Sequence, residues 1–120
     1  MKRYKFVAFS QAVQGLETEY LAWIDHHVAD VLKTPGYRSA QRFRAIGPTH
    51  GNLPANLVIY EIETNDIDAT LASLDSRGRS GNLSFSNSLD AAGLVFGVFD
   101  EQTAPMLSSD AATPAIKAAI

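Results

Sequence analysis

The sequence predicts an α+β domain of the ferredoxin-like type, with a four-stranded antiparallel sheet carrying both helices on one face. Three observations predict it. Four short segments read as strands, and two others carry apolar residues at a helical period. The segments follow one another as β-α-β-β-α-β, the split unit of that fold. Turn formers separate them. A chain of 120 residues is one domain by length. We place that domain at residues 1–104 and a polar, Pro-broken tail at 105–120.

Tyr4 to Gln11 reads as the first strand, with Phe6, Ala8 and Ser10 on one face and Lys5, Val7 and Phe9 on the other. Leu16 to Lys33 reads as a helix. Its apolar stripe is Leu16, Tyr20, Trp23, Ile24, His27, Val28, Val31 and Leu32. Glu17 and Glu19 in the first turn and Lys33 in the last suit the helix dipole. Pro35-Gly36 stops it. Tyr37 to Ala45 is the second strand, followed by the turn-rich loop I-G-P-T-H-G-N-L-P-A. Asn56 to Glu63 is the third strand, built on L-V-I-Y-E-I. Asn65 or Asp66 caps a second helix from Ile67 to about Ser76. Arg77 to Leu89, rich in Gly and Ser, is expected as an ordered loop. Leu94 to Gln102 is the fourth strand, and a short helix is expected near Ala115 to Ile120. Strands one, three and four carry apolar residues on both faces. Two sheets packed face to face in a homodimer would cover the outer one.

Composition narrows the function. The net charge of -3 offers no basic stripe for nucleic acid. The absence of cysteine removes disulfides, thiolate nucleophiles, iron–sulfur clusters and Cys-type zinc sites. It also favours a reducing compartment, and we expect a cytoplasmic protein. The N-terminal M-K-R-Y-K-F-V-A-F-S has no long apolar run, so neither a signal peptide nor a membrane span is expected there. No Gly-rich phosphate loop is present.

The candidate chemistry sits between Trp23 and Arg44. His26 and His27 are adjacent, so they point about 100° apart on a helix and cannot share one ligand. His26 falls on the polar arc with Glu19, Ala22 and Asp30, the place of a solvated histidine. His27 falls in the buried stripe. It is either a core histidine satisfied by a hydrogen bond or an acid–base group facing a cavity. Arg38, Arg42 and Arg44 alternate along the second strand and share a face with Ala40. They meet solvent, a dimer rim, or a substrate carboxylate, which the planar fork of Arg42 would clamp. Tyr60 is a packed strand aromatic or a phenol donor in the same cavity. Trp23 and Phe43 are core residues or stacking surfaces for a conjugated substrate, and His50 in its loop is a lid candidate. His26 with Asp30 gives at most two metal ligands, so no metal site is expected. Haem would require His27 beside a large apolar cleft.

The run H-V-A-D-V-L-K-T-P-G-Y-R-S-A-Q-R-F-R, His27 to Arg44, resembles the EthD-like proteins of the dimeric α+β barrel superfamily. His27, Asp30, Leu32, Pro35, Gly36, Ala40, Arg42 and Phe43 stand in the matching places. Ala29 stands where those proteins often have proline, and the aromatic residue before the histidine is one position closer. The run Gly81 to Asp90 resembles their loop before the last strand. The resemblance implies a homodimer with one pocket per subunit between helices and sheet. It covers cofactor-free monooxygenases, isomerases of ring-cleavage products and haem-degrading enzymes. The expected function is therefore a cofactor-independent enzyme, first of all an isomerase acting by proton transfer on an anionic, conjugated small molecule. In that scheme His27 moves the proton, Arg42 holds a carboxylate or enolate, and Tyr60 donates. Trp23, Phe43, Arg44 and His50 contact the substrate. A cofactor-free monooxygenase and a non-catalytic binding dimer are the alternatives.

Overall fold

A computed structural model of the chain describes residues 1–109, and the helix expected near the C-terminus lies outside them. The strands are β1 (Lys2–Ser10), β2 (Tyr37–Arg44), β3 (Asn56–Thr64) and β4 (Val95–Asp100). The helices are α1 (Glu17–Val31) and α2 (Ile67–Arg79). They follow the expected β-α-β-β-α-β order. The sheet runs β2-β3-β1-β4 and every pairing is antiparallel. The central strands β1 and β3 pair from Lys2 opposite Thr64 to Ser10 opposite Asn56. That pairing alone fixes which side chains face the helices.

Local chemistry explains the boundaries. Asp66 caps α2, its side-chain carboxylate accepting from the Ala69 N–H at 3.0 Å. The helix runs past Ser76 to Arg79, longer than the sequence suggests, because Arg77 and Arg79 in the last turn complement the dipole. Gly81, at φ +81°, then turns the chain. After α1, Gly36 takes φ +94° with Thr70 packed against it. A Cβ there would stand 3.1 Å from the Thr70 methyl and in a strained backbone, so glycine is required.

One element departs from strict alternation. The β2–β3 register slips between Tyr37 and Ser39, which makes Arg38 an extra, bulged residue. Arg38 therefore leaves the face of Ala40 and lines a small polar cleft with Lys5 and Glu61.

Toward the helices the sheet presents Phe6, Val58, Tyr60 and Ile62. They join Val31, Tyr37 and Leu83 in one core cluster. A second cluster of Tyr20, Trp23 and Ile24 lies toward the start of α1, packed with Ala12 and Leu89. Burying each such large side chain contributes about 1.5–3 kcal/mol. The two clusters do not merge into one. A cavity of about 530 Å³ is lined by members of both. The outer face keeps Val7, Phe9, Leu57 and Ile59 half-buried, with Phe43, Val95 and Phe99 exposed.

Candidate active site

Trp23, His27 and Asp30 stand at i, i+4 and i+7 on α1, one above another on a single helix face. All three reach the same residue of the loop that follows α2. The carbonyl of Ser84 lies 2.7 Å from His27 Nδ1 and accepts from Trp23 Nε1 at 3.0 Å. The Ser84 N–H donates to Asp30 Oδ2 at 3.2 Å. Lys33 Nζ sits 3.3 Å from the other oxygen of Asp30. That ammonium, with the Ser84 N–H, holds the Asp30 carboxyl below its ordinary range.

This clasp fixes the chemistry of His27. A carbonyl oxygen only accepts, so Nδ1 carries the hydrogen and neutral His27 keeps its lone pair on Nε2. Its ring lies between Trp23, centroids 4.7 Å apart, and Phe85, centroids 5.5 Å apart. Burial lowers its pKa from the ordinary 6.5, against the opposing pull of the Ser84 carbonyl and the Asp30 charge. A neutral imidazole at neutral pH is a base ready to accept a proton.

His27 lines the cavity. The sheet supplies Phe6, Ala8 and Ser10 from β1, Val58 and Tyr60 from β3, and Phe96 and Val98 from β4. The helices supply Trp23, Ile24 and Val31 from α1 and Leu71 and Leu74 from α2. Leu83, Phe85 and Leu89 close it from the loop. The lining is overwhelmingly apolar. Asp75 and Arg79 are its only full charges among the described residues, and they pair with each other on the exposed side of α2.

Tyr60 is buried in this wall, edge-on to Phe6 at 5.8 Å and to Tyr37 at 5.9 Å. Burial pushes its phenol well above the ordinary value, helped by the nearby Tyr37 and Tyr20, so it stays protonated. The structure thus brings Trp23, His27 and Tyr60 together.

Four other candidates lie elsewhere. Arg42 shares the helix-facing side of β2, but β2 is an edge strand. Its guanidinium reaches α1 and donates to Asp25 at 2.7 Å, outside the cavity lining. Arg44 ends the same edge strand, exposed, opposite Asn56. Phe43 points to the outer face, opposite Leu57, and is 42% exposed. His50 sits exposed in a 3₁₀ turn between β2 and β3. His26 is exposed as expected, while Asp30 turns to Lys33 and Ser84 instead of to it. Among the described residues no group of three or more potential metal ligands occurs. Nor is any helix among them long and apolar enough to cross a membrane.

Sequence reasoning missed Ser84 and Phe85, which it left inside a loop of no assigned role. The backbone of Ser84 does the work there, and a backbone carbonyl leaves no trace in residue type. It also left Leu71 and Leu74 unnamed, though their spacing of three on α2 marks one helix face.

No family model matches the chain, and no curated protein matches it. Solved structures do. A haem-degrading protein, MhuD, from Mycobacterium tuberculosis, with two haems bound in its active site, superposes with a TM-score of 0.58 at 13% identity, over 86% of this chain and 99% of that one. SnoaB, a cofactor-independent oxygenase from Streptomyces nogalater, gives 0.53 at 15% identity, over 87% and 97%. An ethyl tert-butyl ether degradation (EthD) family protein from Bacillus halodurans gives 0.52 at 15% identity, over 83% and 99%. Identities this low speak for the fold. By that fold, the chain is similar to these three proteins.

Proposed function

We propose that the chain is a cofactor-independent enzyme in which Nε2 of His27 removes a proton from an uncharged, conjugated substrate such as a phenol or polyketide. The observation that carries this is the Ser84 carbonyl on Nδ1, which leaves the lone pair on Nε2 beside an apolar cavity of about 530 Å³. A positioned base of this kind contributes about 10²–10⁴-fold in rate. The anionic substrate expected from the sequence loses its support, because Arg42 is engaged by Asp25 and Arg79 by Asp75.

The conjugated anion has two fates. Capture by dioxygen at an activated methylene gives a ketone, with one oxygen atom retained and the other leaving as water. The apolar walls suit that reaction, and the fold likeness to a cofactor-independent oxygenase supports it. Return of the proton at another carbon is isomerisation, and the protonated phenol of Tyr60 in the wall favours this second reading. A haem fits less well. Nε2 of His27 would be able to hold its iron, but the cavity's cation among the described residues, Arg79, stands on the exposed side of α2 paired with Asp75.

The test is a panel of phenols and anthrone-like ketones in an oxygen electrode, with proton exchange followed by NMR. Oxygen uptake that His27→Gln abolishes supports oxygenation. Exchange or isomerisation without uptake supports the second reading. Tight binding with neither would leave a ligand-binding protein, and a Soret shift on haemin titration would replace both.

We also propose that the chain pairs through the outer face of its sheet, where Val7, Phe9, Leu57 and Ile59 form a contiguous apolar surface.

A further inference from the structure

The cavity has a second polar feature, distant from His27. Ser10 ends β1 on the same face as Phe6 and Ala8 and lines the cavity. Its hydroxyl lies 2.6 Å from the phenol oxygen of Tyr20 on α1. Ser10 is 6% exposed and Tyr20 is 1% exposed. Two hydroxyls carry two hydrogens, and the bond between them uses one. Among the described residues neither oxygen has another partner, so one O–H of the pair is left without an acceptor there. A buried donor in that state is costly unless something supplies an acceptor. An oxygen of a cavity-bound molecule is able to do so, because Ser10 is part of the wall.

Tyr20 and His27 are seven residues apart on one face of α1, which is about 10 Å of helix rise. Trp23 and Ile24 fill the wall between them. A flat molecule lying along that wall would meet one polar group toward each end and apolar carbon between.

We infer that the Ser10–Tyr20 hydroxyl pair is a second polar subsite that donates a hydrogen bond to a ligand oxygen. The preferred ligand is then a fused aromatic bearing oxygen functions at opposite ends. The inference rests on the cavity being the ligand site proposed above, and it adds the substrate class. Carbonyl and hydroxyl oxygens both accept such a bond, so ketone and phenol ends are equally suitable.

Binding of 2-naphthol and of 2,6-dihydroxynaphthalene, measured by isothermal titration calorimetry, tests it. The diol should bind about fivefold or more tightly than the mono-ol, the gain of roughly one hydrogen bond. In Ser10→Ala/Tyr20→Phe that preference should vanish while 2-naphthol still binds. Circular dichroism checks the fold of the variant, and the comparison in the unaltered protein stands without it. Equal binding of the two probes overturns the subsite and leaves the His27 reading intact. A diol preference that persists in the double variant also overturns it, since the second oxygen is then met elsewhere. Failure of both probes to bind overturns the subsite and the proposed ligand site together.

Discussion

His27 Nδ1 and the carbonyl oxygen of Ser84 lie 2.7 Å apart, joining residues 57 positions apart in the chain. That one contact sets the tautomer of the imidazole and ties the loop to α1. It also makes the acid–base state of His27 measurable. Burial favours the neutral ring, so the folded pKa lies below the unfolded one. The unfolded chain then binds more protons in the interval between the two values. Stability is full above the ordinary 6.5 and falls as pH drops through the lowered folded value. Chemical denaturation at pH 7.5 and at progressively lower pH should show this loss. In His27→Gln the share due to His27 should be missing. NMR titration should place the His27 pKa below the ordinary 6.5, and a value above it would defeat the neutral-base assignment.

Tyrosine ionisation gives an independent check on the wall. The chain has four tyrosines. Burial raises the Tyr37 phenol to about 12 and the Tyr60 phenol further still. Absorbance at 295 nm should therefore show these two phenols silent at pH 10.5 and appearing only with alkaline unfolding. The sign follows directly. A raised folded pKa holds its stabilisation below 10 and loses it as pH climbs through the folded value. A full four-tyrosine step near pH 10 in the folded protein would mean that the cavity wall is wetter than its packing indicates.

The Tyr37 hydroxyl is buried without a hydrogen-bond partner among the described residues. Its ring packs well, tilted against Phe6 and edge-on to Tyr60. Tyr37→Phe keeps those contacts and removes an unsatisfied polar atom, so it should raise stability by about 1 kcal/mol. A loss of similar size on thermal or urea unfolding would reveal a partner for that oxygen.

Arg42 should be a surface residue in its behaviour. Its side chain is 34% exposed and that of Asp25 is 75% exposed, so the pair is screened by water. Arg42→Ala should cost about 0–1 kcal/mol, diminishing with salt, and leave the affinity for 2-naphthol unchanged. A tenfold loss of affinity would return Arg42 to the binding site.

The history of Arg42 shows how far the sequence reaches. Alternation placed it on the face of Ala40, and the register pairs Ala40 with Tyr60 and Arg42 with Val58 on the helix side. What alternation does not encode is that β2 is the outermost strand. At an edge, inward means toward the flank of α1, where Asp25 waits, and not toward the cavity. Arg38 failed for another reason, since a bulge leaves no distinct residue signature in this strand. His27 was legible because the helical period set it among Tyr20, Ile24 and Val31. Its hydrogen-bond partner was not, because a loop carbonyl carries no side-chain code.

The outer sheet face yields the last prediction. Ile59 lies in the central strand β3, opposite Val7 on one side and Gln41 on the other. It contributes to neither helix-side core cluster. Placing a carboxylate there leaves the cavity untouched but makes burial against a second copy costly, because each subunit would bring an unpaired charge into the same apolar contact. Sedimentation of the unaltered protein should give twice the 13.0 kDa chain mass, and Ile59→Asp should sediment as a monomer with its helical circular dichroism retained. A stable dimer interface needs about 1,200–2,000 Å² of buried surface in total. An unaltered chain that sediments at 13.0 kDa would require some other partner to cover Val7, Phe9, Leu57 and Ile59.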